Sequence, residues 1–191
     1  MESWLRRIAS PEQVTLARGE HLFRQGDAVT HLFIVRRGRV RLERSSEDGN
    51  PVVLQLALEP EMVAEASLFS DRYHCAAVAA GPAAVLRFAR APVLETLARD
   101  PGMCREVLAL YARRIQRLRA LLEVRNIRSA QDRILAWLRL EADENSRIQV
   151  RSSLKDMAWQ LGLAHETFYR ALRELESRGH IAREAGALRM I

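Results

Sequence analysis

Six side chains near the C-terminal end of the chain combine basic, acidic and aromatic groups that could hydrogen-bond to the edges of bases in duplex DNA. They are His165, Glu166, Thr167, Tyr169, Arg170 and Arg173. Arginine can pair with guanine through two hydrogen bonds, and glutamate can accept a hydrogen bond from the amino group of cytosine. Because the major groove admits an α-helix, we expect these residues on the exposed face of one helix.

The residues around this group predict a helix–turn–helix. Helices are predicted over 154–161 and 165–178, with Gly162 and Leu163 forming a tight corner between them. Ser153 can cap the first helix, and an acidic residue three positions later completes a capping box. Three apolar residues give the second helix a buried stripe: Phe168, Leu172 and Leu175. The same pattern also fits an ordinary helical hairpin whose charged face is solvated.

The elements on either side of this motif predict a winged DNA-binding domain over residues 129–191. A helix is predicted at 130–141 and a short strand at 148–151. Strands at 181–184 and 188–191, with a glycine turn between them, predict a hairpin that would form the wing.

A long helix precedes this domain. Asp100 and Pro101 are typical of a helix start, and nothing breaks the predicted helix before about Arg128. Its apolar residues recur at alternate spacings of three and four, which is a heptad seam: Leu108, Tyr111, Ile115, Leu118 and Leu122. The seam predicts that residues 101–128 pair two chains into a homodimer, with recognition helices about one DNA turn, roughly 34 Å, apart. A monomer could instead bury the seam against its own β-domain. Ser129 with Asp132 predicts a capping box that starts a new helix, which places a hinge at this point.

Residues 1–100 predict a β-domain with a short helical lead-in at 1–19. Short alternating runs separated by glycine turns are typical of a β-roll or sandwich. Two strands are predicted on either side of Gly38, and a third at 52–58 after a turn at 47–50. Two more are predicted at 75–80 and 84–88, on either side of Gly81-Pro82. A short helix is predicted at 91–99. The predicted fold class is therefore α+β: an antiparallel β-roll, a long dimerisation helix and a winged helix–turn–helix.

Composition favours a polyanionic partner. Lys and Arg exceed Asp and Glu by 30 to 24, giving a net charge of +6 over 191 residues, and such an excess suits nucleic acid. No apolar run approaches the roughly 20 residues that span a bilayer. The first ten residues lack the apolar stretch of a signal peptide, so we expect a cytoplasmic protein without a membrane partner.

The sequence offers little for catalysis or metal binding. His21, His31 and His74 lack the close His-x-His spacing of jelly-roll metal enzymes, and no glycine-rich phosphate loop or nucleophile motif stands out. Cys75 and Cys104 are too few for a disulfide scaffold and lack metal-type spacing. We therefore predict that the protein is not an enzyme.

With these elements in this order, the chain from Gly19 to Ile191 resembles the Crp/Fnr family of transcription regulators. The specific marks are Gly26-Asp27, Gly38 with Val40, Asp48-Gly49, the segment EASLF at 65–69 and the segment HETFYR at 165–170. The resemblance implies a jelly roll like that of cyclic-nucleotide-binding domains, and a homodimer that binds double-stranded DNA and contacts RNA polymerase. It also implies that ligand binding presses on the long helix near Leu118 and Leu122 and moves the hinge.

The resemblance assigns roles to residues of the helix–turn–helix. Glu166 and Arg170 match the positions that read base edges, whereas Thr167 and Ser153 match positions that contact phosphate or cap a helix. His165 stands where the catabolite activator has arginine, so the DNA half-site is left open.

The sensory end departs from the family pattern. Members that bind cyclic nucleotide carry a Gly-Glu pair and then an Arg-Ser or Arg-Thr pair, whose arginine neutralises the cyclic phosphate. Here these pairs are Ala64-Glu65 and His74-Cys75, and the hydroxyls that close over the base align with Leu118 and Arg119. A phosphate would lose a charge-assisted partner, although Arg72 could reach over from the preceding loop. We predict that this effector pocket, formed by Glu65, His74, Cys75, Leu118 and Arg119, does not bind cyclic AMP.

The sequence also bears on other kinds of sensor. The oxygen-sensing branch of the family carries a cysteine cluster near its N-terminus, whereas residues 1–74 contain no cysteine, so no iron–sulfur cluster is predicted. His74 and Cys75 are neighbours, and neighbours on a strand point to opposite faces, which disfavours a shared metal. Neither cysteine shows a sequence sign of a redox switch. No cofactor is predicted, while haem or another small-molecule effector stays open.

The competing interpretation of the whole chain is a β-roll protein-interaction module whose winged domain does not bind DNA.

Overall fold

The computed structural model describes residues 3–8, 10–45, 51–150 and 153–191. The turn predicted at 47–50, with Asp48-Gly49, lies outside the described residues, as does the last residue of the strand predicted at 148–151. The chain divides into two compact units, Met1–Ala109 and Leu110–Ile191.

In the first unit, eight strands are found among the described residues. They are β1 Glu12–Leu16, β2 His21–Phe23, β3 His31–Arg37, β4 Arg39–Ser45, β5 Pro51–Leu58, β6 Met62–Val63, β7 Ala76–Ala79 and β8 Ala83–Ala89. They form two four-stranded antiparallel sheets, ordered β1-β8-β3-β6 and β2-β7-β4-β5. Large apolar residues from both sheets are buried, which is how a β-roll removes its apolar surface from water. The predicted β-roll is confirmed.

The strands that flank Gly38 do not pair with each other. β3 pairs with β6 and β8, whereas β4 pairs with β5 and β7. Gly38 therefore marks the point where the chain passes from one sheet to the other. The same holds for β7 and β8, which lie in different sheets. The sequence pattern located these strands but not their partners.

The helical lead-in predicted over residues 1–19 is only partly correct. A helix, α1, spans Ser3–Ile8, and the strand β1 follows at Glu12–Leu16. β1 pairs antiparallel with β8 along its whole length, and Val14 and Thr15 are β-branched residues that suit a strand. Its pairing partner is some 70 residues away, so local periodicity gives no sign of it.

Two helices follow the β-roll, α2 at Arg90–Arg99 and α3 at Pro101–Asn126. The carboxylate of Asp100 accepts a hydrogen bond from the backbone N–H of Met103 at 2.9 Å, which satisfies one of the free donors at the start of α3. The predicted start of α3 is confirmed, and the helix ends two residues before the predicted Arg128.

The described residues of the second unit form three further helices and a small sheet. The helices are α4 Ala130–Glu141, α5 Leu154–Gln160 and α6 His165–Ser177, and the strands are β9 Arg147–Gln149, β10 Ile181–Glu184 and β11 Ala187–Met190. The sheet is antiparallel in the order β10-β11-β9. Its core joins Trp137 and Leu138 of α4 to Met157 of α5 and Phe168 and Leu172 of α6. The winged helix–turn–helix arrangement is confirmed.

Ser129 caps α4 as predicted, but only half of a capping box is present. The hydroxyl of Ser129 accepts a hydrogen bond from the backbone N–H of Asp132 at 3.2 Å. At α5 both halves are present, since Ser153 and Asp156 each accept from the backbone N–H of the other.

Candidate nucleic-acid interface

The corner between α5 and α6 is built by a glycine in the left-handed conformation. Gly162 has φ +62°, and the backbone N–H groups of Gly162 and Leu163 donate to Trp159 O and Ala158 O, each at 2.9 Å. These two bonds close the end of α5 in a Schellman motif. The corner therefore turns the chain within four residues and starts α6 at His165.

α6 has one buried face and one exposed face. Phe168, Ala171, Leu172 and Leu175 are buried and fix the helix on the core of the unit. The six residues singled out from the sequence lie elsewhere on the helix: His165, Glu166, Arg170 and Arg173 are exposed, and Thr167 and Tyr169 are half-buried. The structure therefore brings all six onto one helix, with none of them fully buried.

The rings of His165 and Tyr169 contact each other at the start of α6. Their centroids are 4.4 Å apart at an interplanar angle of 65°, an edge-to-face arrangement. His165, Glu166, Tyr169, Arg170 and Arg173 line an open surface depression together with Glu174 and Ser177, which the sequence did not single out. Glu174 accepts a hydrogen bond from the Gln131 side-chain amide of α4, so this acid is held back against its own domain.

The N-terminus of α6 favours an approaching anion. Free backbone N–H groups and the helix dipole place partial positive charge at this end, and Ala164, which precedes the helix, provides no side-chain cap. Ser153, predicted as a capping or phosphate-contacting residue, is exposed and engaged in the capping box of α5. The start of α6 thus joins partial positive charge, two exposed arginines and one exposed glutamate.

The heptad seam of α3 is solvent-exposed in the single chain. Leu108, Ile115, Leu118 and Leu122 are 61%, 50%, 55% and 60% exposed, whereas Tyr111 is half-buried. Val107, Leu110 and Val124 of the same helix are buried. One face of α3 therefore packs within the chain, while another presents a line of large apolar side chains to water.

The segment expected to hold an effector contains a non-glycine residue in the left-handed conformation. Ala64 adopts the left-handed conformation, with φ 73°, and a single 3-10 turn follows at Glu65–Ser67. Glu65 and Ser67 are buried. The Ser67 hydroxyl lies 3.0 Å from Nδ1 of His74, a pairing that the sequence did not reveal.

Two arginines near this segment, Arg72 and Arg90, donate hydrogen bonds to backbone carbonyls. Arg72 does not reach over the segment: its Nη1 donates to Gly26 O at 2.7 Å, and residue 72 forms a β-bridge with Ala28. Nε of Arg90 donates to Leu68 O at 2.8 Å. The possibility that Arg72 replaces the missing arginine is therefore not supported.

Cys75 and His74 point to different surroundings. Cys75 is buried, whereas His74 is exposed. Burial raises the pKa of the Cys75 thiol, and the nearby Glu65 carboxylate raises it further, while Arg44 acts in the opposite direction. A thiol kept protonated in this way is a weak nucleophile and a weak metal ligand. Among the described residues, no group of three or more His, Cys, Asp or Glu is arranged to hold a metal ion.

A β-roll followed by a long helix and a winged helix–turn–helix with an exposed reading face defines a DNA-binding regulator. Residues 13–100 match the cyclic nucleotide-binding domain family. The chain is 30% identical to the cyclic AMP receptor protein of Thermus thermophilus, over 89% of this chain and 84% of that protein. It is 28% identical to the nitrogen fixation regulation protein FixK of Bradyrhizobium diazoefficiens, over 94% and 78%.

Solved structures show the same fold. The structure of FixK2 from Bradyrhizobium japonicum matches 95% of this chain and 93% of that chain, with a TM-score of 0.76 and 19% identity. The chain belongs to the Crp/Fnr family of transcription regulators. It is a DNA-binding regulator of transcription and not an enzyme. No helix in the described ranges is both long and apolar enough to cross a membrane.

Proposed function

We propose that the protein is a homodimeric, sequence-specific regulator that reads double-stranded DNA with the exposed face of α6. The observation that carries this proposal is the division of α6 into a fully buried apolar stripe and an exposed face with Glu166, Arg170 and Arg173. A helix with only a structural role would not need this group of hydrogen-bonding side chains on its exposed face. Glu166 and Arg170 read base edges, while His165, Thr167, Tyr169 and Arg173 supply neighbouring base and phosphate contacts.

The exposed seam of α3 supports the dimer. Four large aliphatic side chains are each at least half exposed at heptad spacing, and a parallel partner helix would remove them from water. Burial of apolar surface stabilises such a pair by roughly 25 cal/mol per Å². The two-fold axis of that pair supplies the second recognition helix that a palindromic operator requires.

The residues of the β-roll argue against cyclic AMP as an effector. His74 stands at the position where nucleotide-binding relatives have their phosphate arginine, and it pairs with Ser67. Arg72 is held by Gly26. On α3, Leu118 and Arg119 are exposed and offer no hydroxyl to a purine base. The described residues at the family's phosphate and base positions thus supply neither partner, although the relative from Thermus thermophilus is named as a cyclic AMP receptor protein.

By its family, the regulator acts together with RNA polymerase in the cytoplasm. A β-roll interaction module whose winged domain binds no DNA is the competing function. A gel shift with genomic fragments at two salt concentrations separates the two, because a DNA-binding dimer loses affinity steeply as salt rises. No shift at either salt concentration would support the interaction module. For the effector, calorimetric titration of the purified protein with cyclic AMP should give no binding heat, and micromolar binding would contradict the proposal.

A further inference from the structure

Arg133, in the first turns of α4, contacts the ends of two other helices. Its Nε and Nη2 donate to Ile127 O at 2.8 and 2.6 Å. Its Nη1 donates to Leu161 O at 3.1 Å and lies 3.4 Å from Gly162 O. Ile127 directly follows α3, and Leu161 and Gly162 directly follow α5. One half-buried guanidinium therefore joins the end of α3 to the corner of the helix–turn–helix.

The position is electrostatically unusual for a cation. Positive charge near the N-terminus of a helix is disfavoured by the helix dipole, whereas positive charge at a C-terminus is favoured. Arg133 lies four residues after the cap Ser129 at the N-terminal end of its own helix. The C-terminal ends of α3 and α5, whose last carbonyls lack partners within their helices, compensate for this location. Within the described residues, the hydrogen bonds of its guanidinium all go to these carbonyls.

A second guanidinium meets the same corner from α3. A Cβ added to Gly162 would lie 3.2 Å from both Nε and Nη2 of Arg125, which belongs to the last turn of α3. The corner that aims α6 is thus held from α4 by Arg133 and approached from α3 by Arg125. Both side chains belong to the same compact unit as α6.

We infer that Arg133 is a positioning residue that fixes the recognition helix relative to the end of α3. The inference rests on the proposed DNA-binding dimer. In that dimer, the paired α3 helices define the two-fold axis, so the orientation of each α6 relative to α3 sets the distance between the two recognition helices. Arg133 then determines which half-site spacing the dimer accepts, without touching DNA.

The test separates this role from a general loss of stability. A palindromic duplex is first selected from a randomised library with the wild-type full-length protein. Affinities are then measured for that duplex, for versions with one base pair added or removed between half-sites, and for a single half-site. We expect the wild type to lose about tenfold or more when the spacing changes, since spacing is a geometric requirement of a dimeric reader.

Arg133→Gln should reduce this spacing penalty to about threefold or less while keeping half-site affinity within about twofold, because α6 itself keeps its fold and contacts. Arg139→Gln is the matched control, since Arg139 is an exposed arginine in the last turn of the same helix; it should behave as the wild type. Thermal unfolding of each variant shows whether it folds. If Arg133→Gln does not fold, Arg133→Lys, which keeps the charge but not the fork of donors, takes its place and should show an intermediate penalty.

An unchanged spacing penalty in a folded Arg133 variant would overturn the inference, as would equal losses on every duplex including the half-site. Failure of the wild type to select any duplex would instead overturn the proposed DNA-binding function. A wild type that selects only single half-sites would contradict the dimer.

Discussion

Gly38 lies so close to Pro82 that a β-carbon on Gly38 would sit 2.3 Å from the Pro82 carbonyl oxygen and 2.8 Å from Cα of Ala83. Both neighbours are backbone atoms, which cannot rotate away as a side chain would. Gly38 also has φ +81°, where a side chain is strained. The close approach joins the two places where the chain crosses between the sheets of the β-roll.

Gly38→Ala should therefore destabilise the β-roll strongly. The left-handed conformation costs about 1–2 kcal/mol for a residue with a β-carbon, and the backbone clash adds to this, for a total loss of about 2–4 kcal/mol. Chemical denaturation followed by circular dichroism would measure the loss. Gly26→Ala is the control, because Gly26 has φ +88° but nothing within 4 Å of its added β-carbon, so it should lose only the conformational part. Equal losses for the two variants would contradict the close approach as the cause.

Arg170→Ala should weaken binding to a selected operator by about 1–3 kcal/mol, because a bidentate base contact is removed. Binding to random duplex DNA should change much less. Competition gel shifts with specific and random DNA measure both quantities. Arg139→Ala, which removes an exposed arginine from the end of α4, controls for the lost positive charge. Equal losses on specific and random DNA would assign Arg170 to the phosphate backbone instead.

Ile115→Asp should convert the dimer to a monomer, since it places a charge in the middle of the apolar seam, where an unpaired buried charge costs several kcal/mol. Sedimentation equilibrium over a range of protein concentrations would follow the change. Gln116→Asp is the matched control, because Gln116 is the exposed neighbour outside the seam. An Ile115→Asp variant that still sediments as a dimer would rule out this seam as the interface.

Cys75 should resist alkylation in the native protein while Cys104 reacts. Cys75 is buried and Cys104 is half-buried, and the raised pKa of the Cys75 thiol lowers its thiolate fraction at any given pH. Iodoacetamide labelling at pH 8, read by peptide mass spectrometry, should modify Cys104 alone; both should react after unfolding.

The same shift in pKa affects stability. A raised folded-state pKa contributes stability that is fully present below the unfolded value, 9.0, and is lost as the pH rises through the folded value. Cys75→Ala should therefore flatten the decline in unfolding free energy above about pH 9. Rapid labelling of Cys75 at pH 8 would contradict both expectations.

Local patterns in the sequence predicted most of the second unit. Ser153 with Asp156, Gly162 at the corner, and the stripe of Phe168, Leu172 and Leu175 are signals contained within a few turns of chain, and the structure reproduces each of them. Helix capping and helical periodicity depend on near neighbours. The exposure of the reading face follows directly from the buried stripe.

Features that depend on distant partners could not be predicted. β1 was interpreted as helix because its pairing with β8 is invisible locally, and β6 is only two residues long. The partners of Arg72 and His74 became clear only from the three-dimensional contacts. Arg133 did leave one signal, since a lone arginine near the start of a capped helix opposes the helix dipole.

The water-exposed leucines of α3 also affect how promoter occupancy depends on the concentration of this protein. Under the proposed pairing, only the dimer binds the operator. At protein concentrations well below the dissociation constant of the dimer, promoter occupancy therefore rises with the square of the protein concentration. A halved expression level would then cut occupancy about fourfold. Changes in the synthesis or degradation of this polypeptide would therefore change promoter occupancy steeply, even without a small-molecule signal.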